Sequence, residues 1–211
     1  MKFSLVLLIA SAFLPCQSCL GGLFISEYIE GSGNNKAIEL FNAGPTAFNL
    51  EKTELRFYFN GNTSAGTTLN LSGTVGSGDS FVIADDGAAQ AILDVADQVF
   101  GSSFFNGDDA IELFDTDLGV LDSFGTIGTD PGSSWGTPSS MDNTLRRIRT
   151  VTSGDTNPSD LFDPVLEWVG AGKDVFSGLG SHTVVVPEPA SAAIFGMLAL
   201  GLFGHRRRSD G

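Results

Sequence analysis

Gly33-Asn34-Asn35-Lys36-Ala37-Ile38-Glu39-Leu40-Phe41 is the stretch that decides the fold. Its first half is built to turn the chain, because Asn tolerates positive φ and bonds its own backbone. Its second half alternates: Ile38 and Leu40 point one way, Glu39 and Phe41 the other, as side chains do on a β-strand. The same five letters, AIELF, return at 110–114 behind a second polar turn, Asn106-Gly107-Asp108-Asp109. Two origins fit the recurrence, a weak internal duplication or two sheet edges in similar surroundings. Outward from these copies the apolar runs stay short and are punctuated by Gly, Asn and Asp. They predict strands at 23–29, 37–41, 55–59, 67–71, 80–84, 110–114, 120–124 and 144–150. One helix is expected over Ala88–Phe100, where Ile92, Val95, Ala96 and Val99 fall at i, i+3, i+4 and i+7. Eight strands and one small helix imply a sandwich of two antiparallel sheets, an all-β fold.

Composition agrees. Among 211 residues there are 27 Gly and 17 Phe but only 4 Lys, which suits turns joining short strands better than long surface helices. Hydrophobic residues make up 42% and charged residues 17%, too apolar a balance for a disordered chain. The formal charge of −14 argues against a nucleic-acid partner, since phosphate contacts need clustered cations. Residues 22–186 carry 7 Lys/Arg and 23 Asp/Glu, so this body is more acidic still, 7 − 23 = −16. It has the length of one domain, with expected bounds 22–183.

The ends read as addresses. Residues 1–21 place Lys2 before an apolar run, Phe3–Leu14, followed by Pro15 and small residues, the pattern of a secretory signal peptide cleaved near Ser18–Gly21. Cys16 and Cys19 are then discarded with it, or Cys19 is lipidated. Residues 184–211 run through Pro187-Glu188-Pro189 into fifteen uncharged residues, 190–204, and close on Arg206-Arg207-Arg208 after His205. As a helix, 190–204 would reach about 22 Å, short of a ~30 Å hydrocarbon core unless its arginines snorkel. The arginines would stay cytoplasmic, leaving the body outside the inner membrane.

The order Pro187-Glu188-Pro189, short apolar helix, Arg206-Arg207-Arg208 resembles the PEP-CTERM sorting signal. The resemblance implies a Gram-negative host and an exosortase that processes the tail near the PEP motif. After signal peptidase has acted on the other end, the protein would be released or passed to the cell surface or its exopolysaccharide matrix. Residues 190–204 would be a transient inner-membrane anchor, a handle removed as in a GPI signal. A permanent C-terminal anchor is the alternative.

The body resembles the bacterial lamin-tail domain (LTD). The matching stretches, in order, are Phe24–Ser32, Asn34–Leu40, Gly78–Ala84, Phe105–Leu113, Asp130–Gly136, Asn143–Arg147 and Phe162–Pro164 before Glu167-Trp168. The resemblance implies an immunoglobulin-like antiparallel β-sandwich and an extracellular habit, often attached to secreted nucleases and other extracellular modules, but no established chemistry.

Beyond the trimmed ends no Cys remains and the one His is His182, close to the processed end and on no evident scaffold, which argues against Ser–His, Cys–His and zinc chemistry. The chain is read as no enzyme and as needing no cofactor. Calcium is the ion its acids suit, with candidate ligands Asp108, Asp109, Asp115 and Asp117 beside Asp85-Asp86. Asp115-Thr116-Asp117 opens like an EF-hand loop but Leu118-Gly119 breaks it. The plainer reading makes these acids solvated turn residues. Trp135 and Trp168 either fill the core or stack on sugar. Arg146, Arg147 and Arg149, the one basic cluster, either bridge neighbouring acids or meet a polyanion. The function expected is a non-catalytic binding or adhesion domain, meeting exopolysaccharide or surface proteins. The alternative is a small carbohydrate-active or nuclease-accessory protein using loop carboxylates or a Trp.

Overall fold

Why the second half of the quoted stretch becomes a strand is visible in its neighbours. In the computed structural model, which describes residues 22–101 and 104–185, Lys36–Asn42 forms β2 between two other apolar runs. They are β1 (Leu23–Glu30) and β7 (Ser80–Asp85), both antiparallel to it. Outside β1 come β11 (Asn143–Arg147) and β12 (Trp168–Gly172); outside β7 comes β8 (Gln98–Phe100). The six-stranded sheet has the order β12-β11-β1-β2-β7-β8. A four-stranded sheet, β10-β9-β4-β5, faces it, made of β4 (Thr53–Tyr58), β5 (Thr67–Asn70), β9 (Ala110–Asp115) and β10 (Gly119–Phe124). A two-stranded ribbon joins β3 (Phe48–Asn49) to β6 (Thr74–Val75).

The core lies between the two large sheets. Ile25, Tyr28, Ile38 and Leu40 from one meet Leu55, Phe57, Ile111 and Leu113 from the other, all fully buried. Each such side chain contributes roughly 1.5–3 kcal/mol by leaving water. Aromatic pairs tighten the contact: Tyr28 stacks on Phe124 at 4.2 Å between centroids, and Phe57 lies 5.9 Å from Phe105. The result is an all-β sandwich of immunoglobulin-like type. All eight strands expected from the sequence are present, with ends displaced by up to three residues.

Two expectations are corrected. The helix expected over Ala88–Phe100 is a single turn, α1 (Gln90–Leu93), followed by β8. Asp97 ends it: its amide donates to the Val82 carbonyl (2.9 Å) and its carboxylate accepts from the Val82 amide (2.8 Å). That clip lays Gln98–Phe100 parallel along the edge of β7. Ile92 is fully buried, while Val95 and Val99 are exposed, so the apparent helical stripe is not one face. The two AIELF copies, moreover, are not edges. The first is β2, flanked by β1 and β7; the second is β9, flanked by β10 and β4.

The outer face of the six-stranded sheet is covered too. Residues 174–185 run across it as a strap. At its start the Asp174 carboxylate accepts from the Ser32 amide (2.9 Å), Ser32 Oγ (2.7 Å) and Asn35 Nδ2 (3.0 Å). Phe176 and Leu179 pack on Ile29, Ala37, Val82 and Ala84. Farther along, His182 lies edge-on to Phe41 at 5.0 Å, and Val184 packs on Phe24 and Phe41. At its end the Val185 amide donates to the Arg149 carbonyl (2.7 Å). This is why β1 is buried along its whole length.

Candidate functional site

The strap covers charge as well as grease. In the register of β1, β2 and β11, Glu27 stands opposite Glu39 on one side and Arg146 on the other. Glu27 and Glu39 are 3% and 0% exposed. Arg146 Nε donates to Glu27 Oε2 at 3.1 Å, and Glu27 Oε1 is buried without a partner. Glu39 accepts from Ser26 Oγ (2.6 Å) and from the Gly180 amide of the strap (2.7 Å). Gly178 passes so close that a Cβ there would lie 2.6 Å from Arg146 Nε and 2.7 Å from Glu27 Oε2. Burial pushes the Glu27 carboxyl up to about 7; Glu39 adds to that, and Arg146 opposes it. Burial raises Glu39 as well, against the hydrogen bonds it accepts. Sequence alone did not single out this pair. The available signal was a Glu placed between apolar neighbours on each of two adjacent strands.

A second buried charge, next along β11, ties the two sheets together. Arg147, in β11, donates through Nη1 to Asp122 in β10 (2.7 Å) and through Nη2 to Glu167. Asp122 also accepts from the amides of Ile25 (2.8 Å) and Asp155 (2.7 Å). Of the basic cluster, then, Arg146 and Arg147 bridge acids, as the plainer reading expected. Arg149 is exposed and, among the described residues, has no ion pair.

The calcium candidates are not brought together. Asp109 accepts from the amides of Asn106 (2.7 Å) and Asn60 (3.0 Å). Asp115 accepts from the amides of Asp117 (2.9 Å) and Leu118 (3.1 Å) and from Thr53 Oγ1 (3.2 Å). Both are buried turn-formers, not solvated residues. Asp117 pairs with Lys52 at the surface, and Asp108 is half-buried in the turn before β9. Among the described residues no three His, Cys, Asp or Glu side chains converge to hold a metal ion.

Both tryptophans are core residues. Trp135 is 4% exposed, and its Nε1 donates to the Asp109 carbonyl at 3.0 Å. Trp168 is 3% exposed, edge-on to Phe124 and 4.8 Å from the Arg147 guanidinium. Neither presents a free ring face. Trp168 helps line a cavity of about 230 Å³ among Asp160, Asp163 and Glu167, below the usual ~300–1,000 Å³ of a ligand pocket. The expected signal peptide (1–21, with Cys19), Pro187, Glu188, Pro189, the segment 190–204 and Arg206–Arg208 lie outside the described residues. Among the described residues no helix is long and apolar enough to cross a membrane.

A β-sandwich with a strap over one sheet and its buried carboxylates bonded within the domain is the architecture of the lamin-tail class. Residues 17–128 match the Lamin Tail Domain and residues 185–209 match the PEP-CTERM protein-sorting motif. The first match spans more than half of the 211 residues, and the chain belongs to the Lamin Tail Domain family. The second indicates an exported protein sorted to the cell surface through exosortase processing. No curated protein and no solved structure matches the chain.

Proposed function

We propose that this chain is a non-catalytic surface module that binds exopolysaccharide or other surface components. It reaches that position after signal peptidase removes the first ~20 residues and exosortase processes the tail, with residues 190–204 acting as a transient inner-membrane anchor. The observation that carries the reading is the sorting motif at 185–209 directly behind the domain. The site chemistry supports it: Asp109, Asp115, Asp122 and Glu39 each accept two or more hydrogen bonds from the domain's own amides and hydroxyls. A carboxylate so engaged serves as a structural acceptor and is poorly placed as a general base.

The test is the mass of the protein recovered from the cell surface and medium, followed by a glycan array and a hydrolase substrate panel. Loss of both ends, with binding and no turnover, is the expected result. A full-length cytosolic chain, or turnover at enzyme-like rates, overturns the proposal.

A further inference from the structure

Beside the strap lies a cleft of about 490 Å³ bounded by β11, its extension to Arg149, β12 and residues 181–183. In a domain with 23 acids to 7 bases, no Asp or Glu lines it. Its floor is apolar, Ile148 and the 56% exposed Val169. Its walls carry Arg146, Arg149, His182 and the exposed Thr183. Among the described residues Arg149 has no ion pair, Arg146 keeps its ion pair to Glu27, and Arg146 Nη2 and His182 Nε2 are buried without partners. The field in the cleft is positive: burial first, then the guanidinium groups of Arg147 and Arg149, holds His182 below its usual value.

We propose that this cleft binds the carboxylate of an acidic glycan, a uronate unit of a polysaccharide. A pyranose ring has an apolar C–H face that fits Val169 and Ile148, and a polar rim within reach of Thr183. The carboxylate supplies the planar, two-oxygen partner that a free guanidinium holds best. The volume lies within the range of small-ligand sites. A densely charged polyanion is disfavoured, because the acidic surface around the cleft repels it at longer range. The inference rests on the proposed surface-binding function and specifies its ligand.

The test uses the full chain purified in mild detergent and a tetragalacturonate probe. Three comparison ligands accompany it: the same oligomer with its carboxylates reduced to alcohols, a neutral oligosaccharide set, and a tetraglutamate peptide. Tetragalacturonate should bind and its reduced form should not. Arg149→Glu should weaken binding at least about tenfold, the loss of one charge-assisted contact. Lys52→Glu, the same charge change in the turn before β4, should leave binding within about twofold if the contact is local. Equal weakening by both variants reduces the effect to net charge and overturns the cleft. Preference for tetraglutamate, or no binding of tetragalacturonate, overturns it as well. Binding of neutral glycans in that case leaves the broader surface-binding function standing, so the two failures are told apart. An unchanged melting temperature of Arg149→Glu shows that the fold is intact.

Discussion

The two AIELF strands share five letters and differ in what covers their outer faces. In both, the Ile and Leu enter the common core: Ile38 and Leu40 from β2, Ile111 and Leu113 from β9. In β9, Glu112 is opposite Arg56 of β4, which reaches it at 3.3 Å; Tyr58 donates to it at 2.9 Å. Burial and that carboxylate push Tyr58 up to about 12. Arg56 also lies 3.6 Å over the Phe114 ring. In β2, Glu39 is opposite Glu27, and among the described residues no cation pairs with it; a strap covers it instead. One copy is capped by a cation layer, the other by chain. A strand's inward half is dictated by its own letters, whereas its outward half depends on what lies across from it.

The strongest test of the inward likeness is truncation. Ile38→Ala and Ile111→Ala should each destabilise by about 2–5 kcal/mol in denaturant unfolding, as fully buried aliphatics do. A near-zero cost at either site would break the comparison. The outward difference shows in pH. Glu27 has a folded value above its unfolded one, so the native state holds the extra proton between about 4.5 and about 7. Stability therefore falls as pH rises through that window and levels above it, by on the order of 3 kcal/mol at most. Glu39 acts in the same direction. Glu27→Gln should flatten the slope; an unchanged slope would remove Glu27 as its source. On the other sheet, Arg56→Met should cost about 1–2 kcal/mol, for the lost ring contact and the ion pair to Glu112. Smallest of all, Lys52→Gln removes a surface pair and should leave the melting temperature where it is.

What the sequence made legible follows the same division. Alternation and polar turns found eight strands, since both depend on neighbours in the chain. β12 was missed because Gly170 and Gly172 give no strand pattern; its place comes from pairing with β11. β8 was mistaken for helix because Asp97 acts through Val82, fifteen residues away. The acidic candidates are legible as clusters in the sequence, but their roles as amide acceptors depend on loop geometry. Arg146, Arg147 and Arg149 were legible as a cluster. Which one stays free is decided by Glu27 on β1, Asp122 on β10 and Glu167 before β12, none of them adjacent in sequence.

The strap has a mechanical consequence. Among the described residues its last anchoring hydrogen bond joins Val185 to Arg149, at the position where the sorting-motif match begins. Tension drawn through the C-terminal side would meet that bond first, and then the packing of Val184 on Phe24 of β1 and Phe41 of β2. The leash would therefore peel from its C-terminal end inward, toward Leu179 and Phe176 on the same sheet face.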